Sequence, residues 1–443
     1  LYVKEDIPCG AFDRLKALLR CKAEQEFGSL QALDAAGIPV AKPLGWVAAP
    51  GGGLLATQEM PGRSLREILR EKPAVPIMES VAFREALLRL LQAMLRAGLS
   101  HPDMHPGNVM VDLSGARPSV GLLDVYGVRL LPRLGLAAKR RLIRWLFLLL
   151  AGLPYRTRQQ FLDRLCAGDP DAESLASWPR LADSWARFRA RKWPGWRARV
   201  LGTSSVCVAS VDELGTWVVR RDATTAASLG EALRAFQSSG HPSVESLKRD
   251  HKRNVARVTT PDLGDVVVKE YVQASRRWLW RPDRRGWLAT MRARHLGLPV
   301  ADCLGWVRAS SGHGYLFQVD VGNTCLEEHL RVLGCGASGC RHWLSEVAHM
   351  LALLHLCHCF HADLKLANWV VTPESKLLLI DCDDVRHYRR LPDWARERNL
   401  RQLAESCPPC VTRSERLRFL SLYGRLAALT GERVRLLARE TDF

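Results

Sequence analysis

Two stretches of this chain carry residues suited to phosphoryl transfer. One is FHADLKLANWVV, with His361, Asp363, Lys365 and Asn368, followed by LLLIDCDD with Asp381. The other is SHPDMHPGNVMV, with His101, Asp103 and Asn108, followed by GLLD with Asp124. Phosphoryl transfer demands positioning and charge neutralisation more than covalent chemistry. A cation must hold the nucleotide phosphates, a carboxylate must orient the acceptor hydroxyl, and oxygen donors must hold Mg²⁺. Asp363 and Asp103 fit the carboxylate. Asn368 with Asp381, and Asn108 with Asp124, fit the metal donors. Lys365 stands where it can meet the transferred group. The apolar strands VVVK and LYVK end in Lys269 and Lys4, which fit the phosphate cation.

Residues in these roles need a strand before them, a helix leading into the loop and a strand carrying the last Asp. Residues 37–47, GIPVAKPLGWV, recur at 297–307 as GLPVADCLGWV, identical at eight of eleven positions and 260 residues apart. The same offset takes His101 to His361, Asp103 to Asp363 and Asn108 to Asn368. The chain therefore reads as two copies of one unit. In each, the Lys strand comes first, then a helical stretch with the GxPVA segment, then a strand pair around LLATQEM or GYLFQVDV. An amphipathic helix follows. Phe83, Leu87, Leu90, Leu91 and Met94 share one face, as do Trp343, Val347, Met350, Leu351 and Leu354, at the helical period. The predicted fold class is α+β: two tandem modules, each a small mixed sheet followed by a mainly helical lobe. The modules are set at 1–195 and 196–443. Residues 130–195 read as helical, and 204–221 as a hairpin that closes the first module or opens the second.

The 443 residues are 47% hydrophobic and 25% charged, a globular balance. The net charge of +18 calls for an anionic partner: nucleic acid, a membrane surface or a phosphorylated substrate. Thirteen Cys at irregular spacing read as reduced thiols rather than a secreted framework. The longest apolar run, Trp145 to Leu153, is short of the roughly 20 residues that span a bilayer. The chain begins at Leu1, inside the Lys4 strand, so the first module is expected to lack a nucleotide-covering hairpin. In the second module, ESLKRDHKRNVARVTTP precedes VVVK and supplies one.

The two loops, the GxPVAxxLGW segment and the basic, Trp-rich character resemble the bacterial lipopolysaccharide core heptose kinase family. The resemblance covers most of both halves and implies a protein-kinase-like fold in each. It implies ATP and Mg²⁺ as cofactors and transfer to a sugar hydroxyl of the lipopolysaccharide inner core at the cytoplasmic face of the inner membrane. The implied partners are the lipopolysaccharide core, or another phosphorylated glycolipid, and the inner-membrane surface, rather than nucleic acid. In such kinases the strand Lys pairs with a helix Glu. Glu26 fits that role for Lys4. Its counterpart 260 residues on is Gly286, and Glu270 points to the opposite face of its strand. Two other readings stand beside this one. One or both modules are pseudokinase-type scaffolds in envelope assembly, or the acceptor is a small soluble alcohol of the aminoglycoside or choline kind. The positive charge argues against a cationic aminoglycoside.

Other signals carry less. PGGGLL at 50–55 lacks the Lys-Ser/Thr of a P-loop and reads as a turn. HLCHCFH, with Cys335 and Cys340 upstream, reads as buried structure rather than a zinc site, and Cys407-Pro-Pro-Cys410 as a loop. Arg187–Arg199 and Arg276–Arg285 mix Trp with Arg, which suits a membrane interface or a phosphorylated glycolipid.

Overall fold

The computed structural model describes residues 1–6, 21–49, 52–69, 77–151, 153, 155–169, 177–238, 240–249, 253–271, 282–322, 324–334, 338–373 and 375–441. Residues 50–51 of the Gly-rich turn, 250–252 of the covering hairpin, 276–281 of the second Arg/Trp segment, and Cys335 lie outside the described residues. Two compact units emerge, Leu1–Ser184 and Trp185–Phe443. The division falls inside the helix Trp178–Arg199 and assigns 185–195 to the second unit.

In the first unit, β1 (Tyr2–Asp6), β2 (Pro43–Ala49) and β3 (Gly52–Thr57) form an antiparallel sheet in the order β1-β3-β2. Helix α1 (Lys22–Ala35) precedes β2 and buries Ala23, Leu30 and Leu33. Helix α2 (Val81–Arg96) starts at Ser80, whose hydroxyl accepts from the Phe83 amide at 3.3 Å, an N-cap. It buries Phe83, Leu87, Leu90, Leu91 and Met94, the face expected from their spacing. The antiparallel pair β4 (Val109–Asp112) and β5 (Ser119–Leu122) carries the chain towards Asp124. Helices α3 (Leu136–Ile143), α4 (Leu146–Ala151) and α5 (Tyr155–Cys166) follow. The apolar run here is core: Trp145, Leu146, Phe147, Leu149 and Leu150 are all buried. Among the described residues no helix is long and apolar enough to cross a membrane.

The second unit opens with the end of α6 (Trp178–Arg199). The 204–221 hairpin forms β6 (Cys207–Val211) and β7 (Gly215–Arg220), which sit at one edge of this unit's sheet. Helix α7 (Ala226–Gln237), β8 (Val244–Arg249), β9 (Arg253–Thr260), β10 (Gly264–Tyr271), helix α8 (Pro282–Leu296), β11 (Cys303–Ala309) and β12 (Gly314–Val319) complete it. Among the described residues the sheet has seven antiparallel strands in the order β8-β9-β10-β12-β11-β7-β6. Alternation along β10 decides what each face holds. Val266 and Val268 join Trp217, Phe317 and the α7 residues Leu229 and Leu233 in one core. Tyr271 joins Trp287, Met291, Trp306 and Leu316 in the other, under α8. Lys269 shares the Tyr271 face.

The helical part contains α9 (Ser338–Leu356), β13 (Cys359–His361), β14 (Trp369–Val371), β15 (Leu377–Leu379), β16 (Val385–His387), α10 (Asp393–Glu405), α11 (Arg413–Leu426) and α12 (Gly431–Glu440). Trp343, Val347, Leu351 and Leu354 of α9 are buried, and Met350 is half-buried. The Arg187–Arg199 segment is helical. Its Trp193 and Trp196 rings pack 5.6 and 5.2 Å from the His295 ring, while Arg187, Arg191, Lys192, Arg197 and Arg199 are exposed.

Trp287 is fully buried, and its indole N–H donates to the Val200 carbonyl at 2.7 Å. Truncation removes both the packing and the bond that ties α8 to α6. Trp287→Ala is expected to lower the unfolding free energy by about 3–5 kcal/mol, measured by urea denaturation. A loss below about 1 kcal/mol contradicts this packing.

Candidate active site

The repeated GxPVA segment ties a helix end to the strand that delivers an Asp. Gly37 (φ 71°) and Gly297 (φ 82°) turn the chain out of α1 and α8 in the left-handed region, which glycine enters without a Cβ penalty. The Pro39 carbonyl then accepts from the Leu122 amide at 2.8 Å, and the Pro299 carbonyl from Leu379 at 3.0 Å. Val40 and Val300 form parallel bridges with the same two leucines.

The loops are held by matching bonds. His101 Nδ1 accepts from the Asp103 amide at 3.2 Å, and His361 Nδ1 from the Asp363 amide at 3.2 Å. Asn108 Nδ2 donates to the Asp103 carbonyl at 2.9 Å, and Asn368 Nδ2 to the Asp363 carbonyl at 2.6 Å. The carbonyls of Asn108 and Asn368 accept from Leu123 and Ile380, each at 2.9 Å. Asp124 (φ 47°) and Asp381 (φ 57°) both adopt left-handed backbone. That conformation costs a non-glycine residue roughly 1–2 kcal/mol, and such strain gathers at functional positions.

In the first unit, Lys4 Nζ donates to both Glu26 oxygens, at 2.8 and 2.9 Å, and lies 3.8 Å from Asp124 Oδ1. Lys4, Glu26, Asn108 and Asp124 line one cavity of about 490 Å³. Asp103 does not line it; its carboxylate lies 3.5 Å from His105 Nε2. His105 occupies the place of Lys365.

In the second unit, Lys269 Nζ donates to Asp381 Oδ1 at 2.8 Å and lies 3.8 Å from Asp383 Oδ1. Lys269, Asn368 and Asp381 line a cavity of about 380 Å³. Asp363 stands outside this lining with its carboxylate 2.9 Å from Lys365 Nζ. Burial alone would raise the Asp381 carboxyl and lower the Lys269 ammonium. Charge attraction outweighs burial at both: Lys269, helped by Arg253, brings Asp381 down to about 2, and Asp383 first, then Asp381, raise Lys269. Glu270 faces away, as its strand position requires: its Oε1 accepts from the Tyr315 hydroxyl at 2.9 Å and meets His313 Nδ1 at 2.8 Å.

The donor chemistry suits Mg²⁺. Asn368 spends its amide nitrogen on Asp363 and keeps its oxygen, and Asp381 has a second carboxylate oxygen. Mg²⁺ takes few protein oxygens and retains water and phosphate ligands. No zinc-like cluster competes: among the described residues no three His, Cys, Asp or Glu side chains are grouped to hold a metal.

Several residues here escaped the sequence reading. Arg253, on the covering hairpin, lies 3.6, 3.9 and 3.8 Å from Asp381, Asp383 and Asp384. The Tyr271 hydroxyl donates to Asp383 Oδ2. Two α10 side chains and Ser406, which caps that helix, brace the loop. Asn399 Nδ2 donates to the His361 carbonyl at 2.5 Å and Gln402 Nε2 to the Ala362 carbonyl at 2.6 Å. Ser406 Oγ accepts from the Leu366 amide at 3.0 Å. The run DCDD and the basic hairpin were visible signals for the first group. Nothing local marks Asn399, Gln402 or Ser406.

His355, bonded to the Tyr423 hydroxyl at 2.7 Å and facing Asn399 at 3.2 Å, sits beneath this brace. Burial pushes His355, His295 and His387 down to about 3. Each stays neutral in the folded chain while the unfolded chain takes up a proton near pH 6.5. Their contribution is whole above pH 6.5 and is lost as pH falls towards 3, at about 1.4 kcal/mol per pH unit for each. The urea midpoint is therefore expected to drop between pH 7.5 and 5.0; a constant midpoint contradicts it.

Residues 324–423, all in the second unit, match the model of the Lipopolysaccharide kinase (Kdo/WaaP) family. No curated protein matches the chain. Among solved structures, a similar chain is a divergent kinase lacking the glycine-rich loop that regulates membrane ultrastructure of the Toxoplasma parasitophorous vacuole. It aligns at 15% identity over 49% of this chain and 77% of its own, with a TM-score of 0.31. The segment that includes Asp363, Asn368 and Asp381, within an α+β chain, is therefore the part that matches the lipopolysaccharide kinase (Kdo/WaaP) family.

Proposed function

We propose that this protein is an ATP- and Mg²⁺-dependent kinase that phosphorylates a sugar hydroxyl of the lipopolysaccharide inner core, working at the cytoplasmic face of the inner membrane. The observation that carries the reading is the second unit's arrangement. Lys269, Asn368 and Asp381 surround one cavity, and Asp363 is held beside it by Asn368, within the segment that matches the family. Lys269 binds phosphate oxygens. Asp363, with its side chain 43% exposed, orients the acceptor hydroxyl and takes its proton. Lys365 stands beside it to meet the transferred group. Asn368 and Asp381 would hold Mg²⁺, which when bound neutralises charge on the phosphates.

An anionic acceptor is supported by the segment after Asp381. Arg386, Arg389 and Arg390 are exposed and pair with no acid among the described residues. The exposed Trp394 packs on Phe360 and Tyr388, with ring centroids 5.2 and 6.2 Å apart, and Arg398 lies over the Phe360 ring. The nearby acids are engaged, Glu397 and Asp393 facing Arg433 at 2.6 and 3.9 Å. Free guanidinium groups beside an exposed indole suit a phosphorylated glycolipid.

The first unit fits a supporting or binding role. At the 257-residue offset between Asp124 and Asp381, the positions of Asn399, Gln402 and Ser406 hold Leu142, Trp145 and Leu149. None of these can brace the loop as the α10 amides and the Ser406 hydroxyl do. Asp363→Asn is expected to cut core phosphorylation on the order of 10²-fold or more, and Asp103→Asn to leave most of it. The readout is mass spectrometry of isolated lipopolysaccharide. Unchanged phosphorylation in the double variant would end the kinase reading. Loss in Asp103→Asn alone would transfer the activity to the first unit.

A further inference from the structure

Among the described residues no helix carboxylate meets the second unit's strand lysine, and the acids beside it, Asp381 and Asp383, come from the turn after β15. A nearly buried ammonium, with a side chain 9% exposed, is not tolerated without fixed anions. In the first unit α1 supplies one, Glu26, from its second turn. The matching position of α8 is Gly286. A Cβ built on Gly286 would lie 3.0 Å from the Tyr271 hydroxyl oxygen, and 3.1 and 3.2 Å from Oδ1 and Cγ of Asp383. The space a helix side chain would use is therefore filled by Asp383, reaching in from the turn after β15.

Asp383 is buried and fixed. The Tyr271 hydroxyl donates to its Oδ2. Tyr271 is two residues beyond Lys269 on β10, so the same strand face presents both the ammonium and the group that aims its partner. The other oxygen, Oδ1, makes no hydrogen bond among the described residues and lies 3.8 Å from Lys269 Nζ. It is an acceptor with unspent capacity, aimed at the lysine. With it, Lys269 has an anion besides Asp381, and Asp381 is not obliged to serve as the lysine's counter-charge.

We propose that Asp383 is the positioning residue for Lys269, replacing the helix glutamate of the first unit, and that Gly286 is the gap that admits it. This rests on the reading of the second unit as a phosphotransferase. It removes the reason to regard that unit as disabled: the carboxylate has moved from the helix to the turn. Gly286 and Asp383 form an exclusive pair, because a side chain at 286 and a carboxylate at 383 compete for one volume.

The test uses the full chain with Asp383→Asn, Asp383→Ala, Gly286→Glu and the double variant Asp383→Ala/Gly286→Glu. The first readout is acylation of Lys269 by an acyl-phosphate derivative of ATP, scored on the peptide bearing Lys269 by mass spectrometry, which separates it from Lys4. The second is phosphate transfer to isolated lipopolysaccharide core, with kcat and KM resolved. Asp383→Asn, which preserves shape and the Tyr271 contact, is expected to lower both Lys269 labelling and kcat at least tenfold. Gly286→Glu is expected to do the same by displacing Asp383. The double variant is expected to recover labelling to within threefold of the parent, which a purely structural role for Asp383 does not predict. Labelling within twofold of the parent in Asp383→Asn, or a double variant no better than Asp383→Ala, overturns the proposal. Labelling that responds as expected in a chain that never phosphorylates the core sustains Asp383 and removes the proposed substrate. A parent chain that is not labelled at Lys269 overturns both.

Discussion

The ammonium of Lys269 sits almost out of solvent, and a bare charge there is far costlier than any single packing interaction. Around it the second unit gathers Asp381, Asp383 and Asp384 against Lys269, Arg253 and Arg285, with Arg285 3.1 Å from Asp384. These six groups come from β10, the start of β9, the start of α8 and the turn after β15. The charges must meet for any of them to be buried, so this balance joins the sheet to the helical part. It also accounts for a basic residue on the hairpin: Arg253 supplies counter-charge to Asp381, Asp383 and Asp384.

Placement of the site then depends on backbone bonds. The carbonyls of Pro39 and Pro299 hold the strands that end before Asp124 and Asp381, and both aspartates take left-handed backbone that a free chain would avoid. Strain of this kind persists only where surrounding bonds over-determine it. The same bonds occurring in both units means the strained turn is built in the same way twice.

The units differ where solvent and bracing differ. The Lys4 side chain is 33% exposed and rests on the helix acid Glu26. Lys269 is much more enclosed and is served by the turn. The loop bearing Asp363 is pinned by amide and hydroxyl side chains from α10 and its cap, whereas the equivalent positions before α5 are apolar and belong to a core. Equal motifs therefore do not imply equal sites, because a motif fixes which groups are present and its supports fix how firmly they point.

Much of this was legible in the residues alone. The repeat at one offset, the strand lysines, the loop Asp and Asn residues and the amphipathic faces of α2 and α9 follow from local spacing, because helix and strand periods act over a few residues. Glu26 was readable too, as an acid one helix turn into α1. What spacing left open was the ownership of the 204–221 hairpin and the partner of Lys269. Those depend on which surfaces meet. Gly286 looked like a loss because sequence shows only that a side chain is absent. The fold shows that Asp383 fills its volume, and that can be known only when α8, β10 and the turn after β15 are brought together.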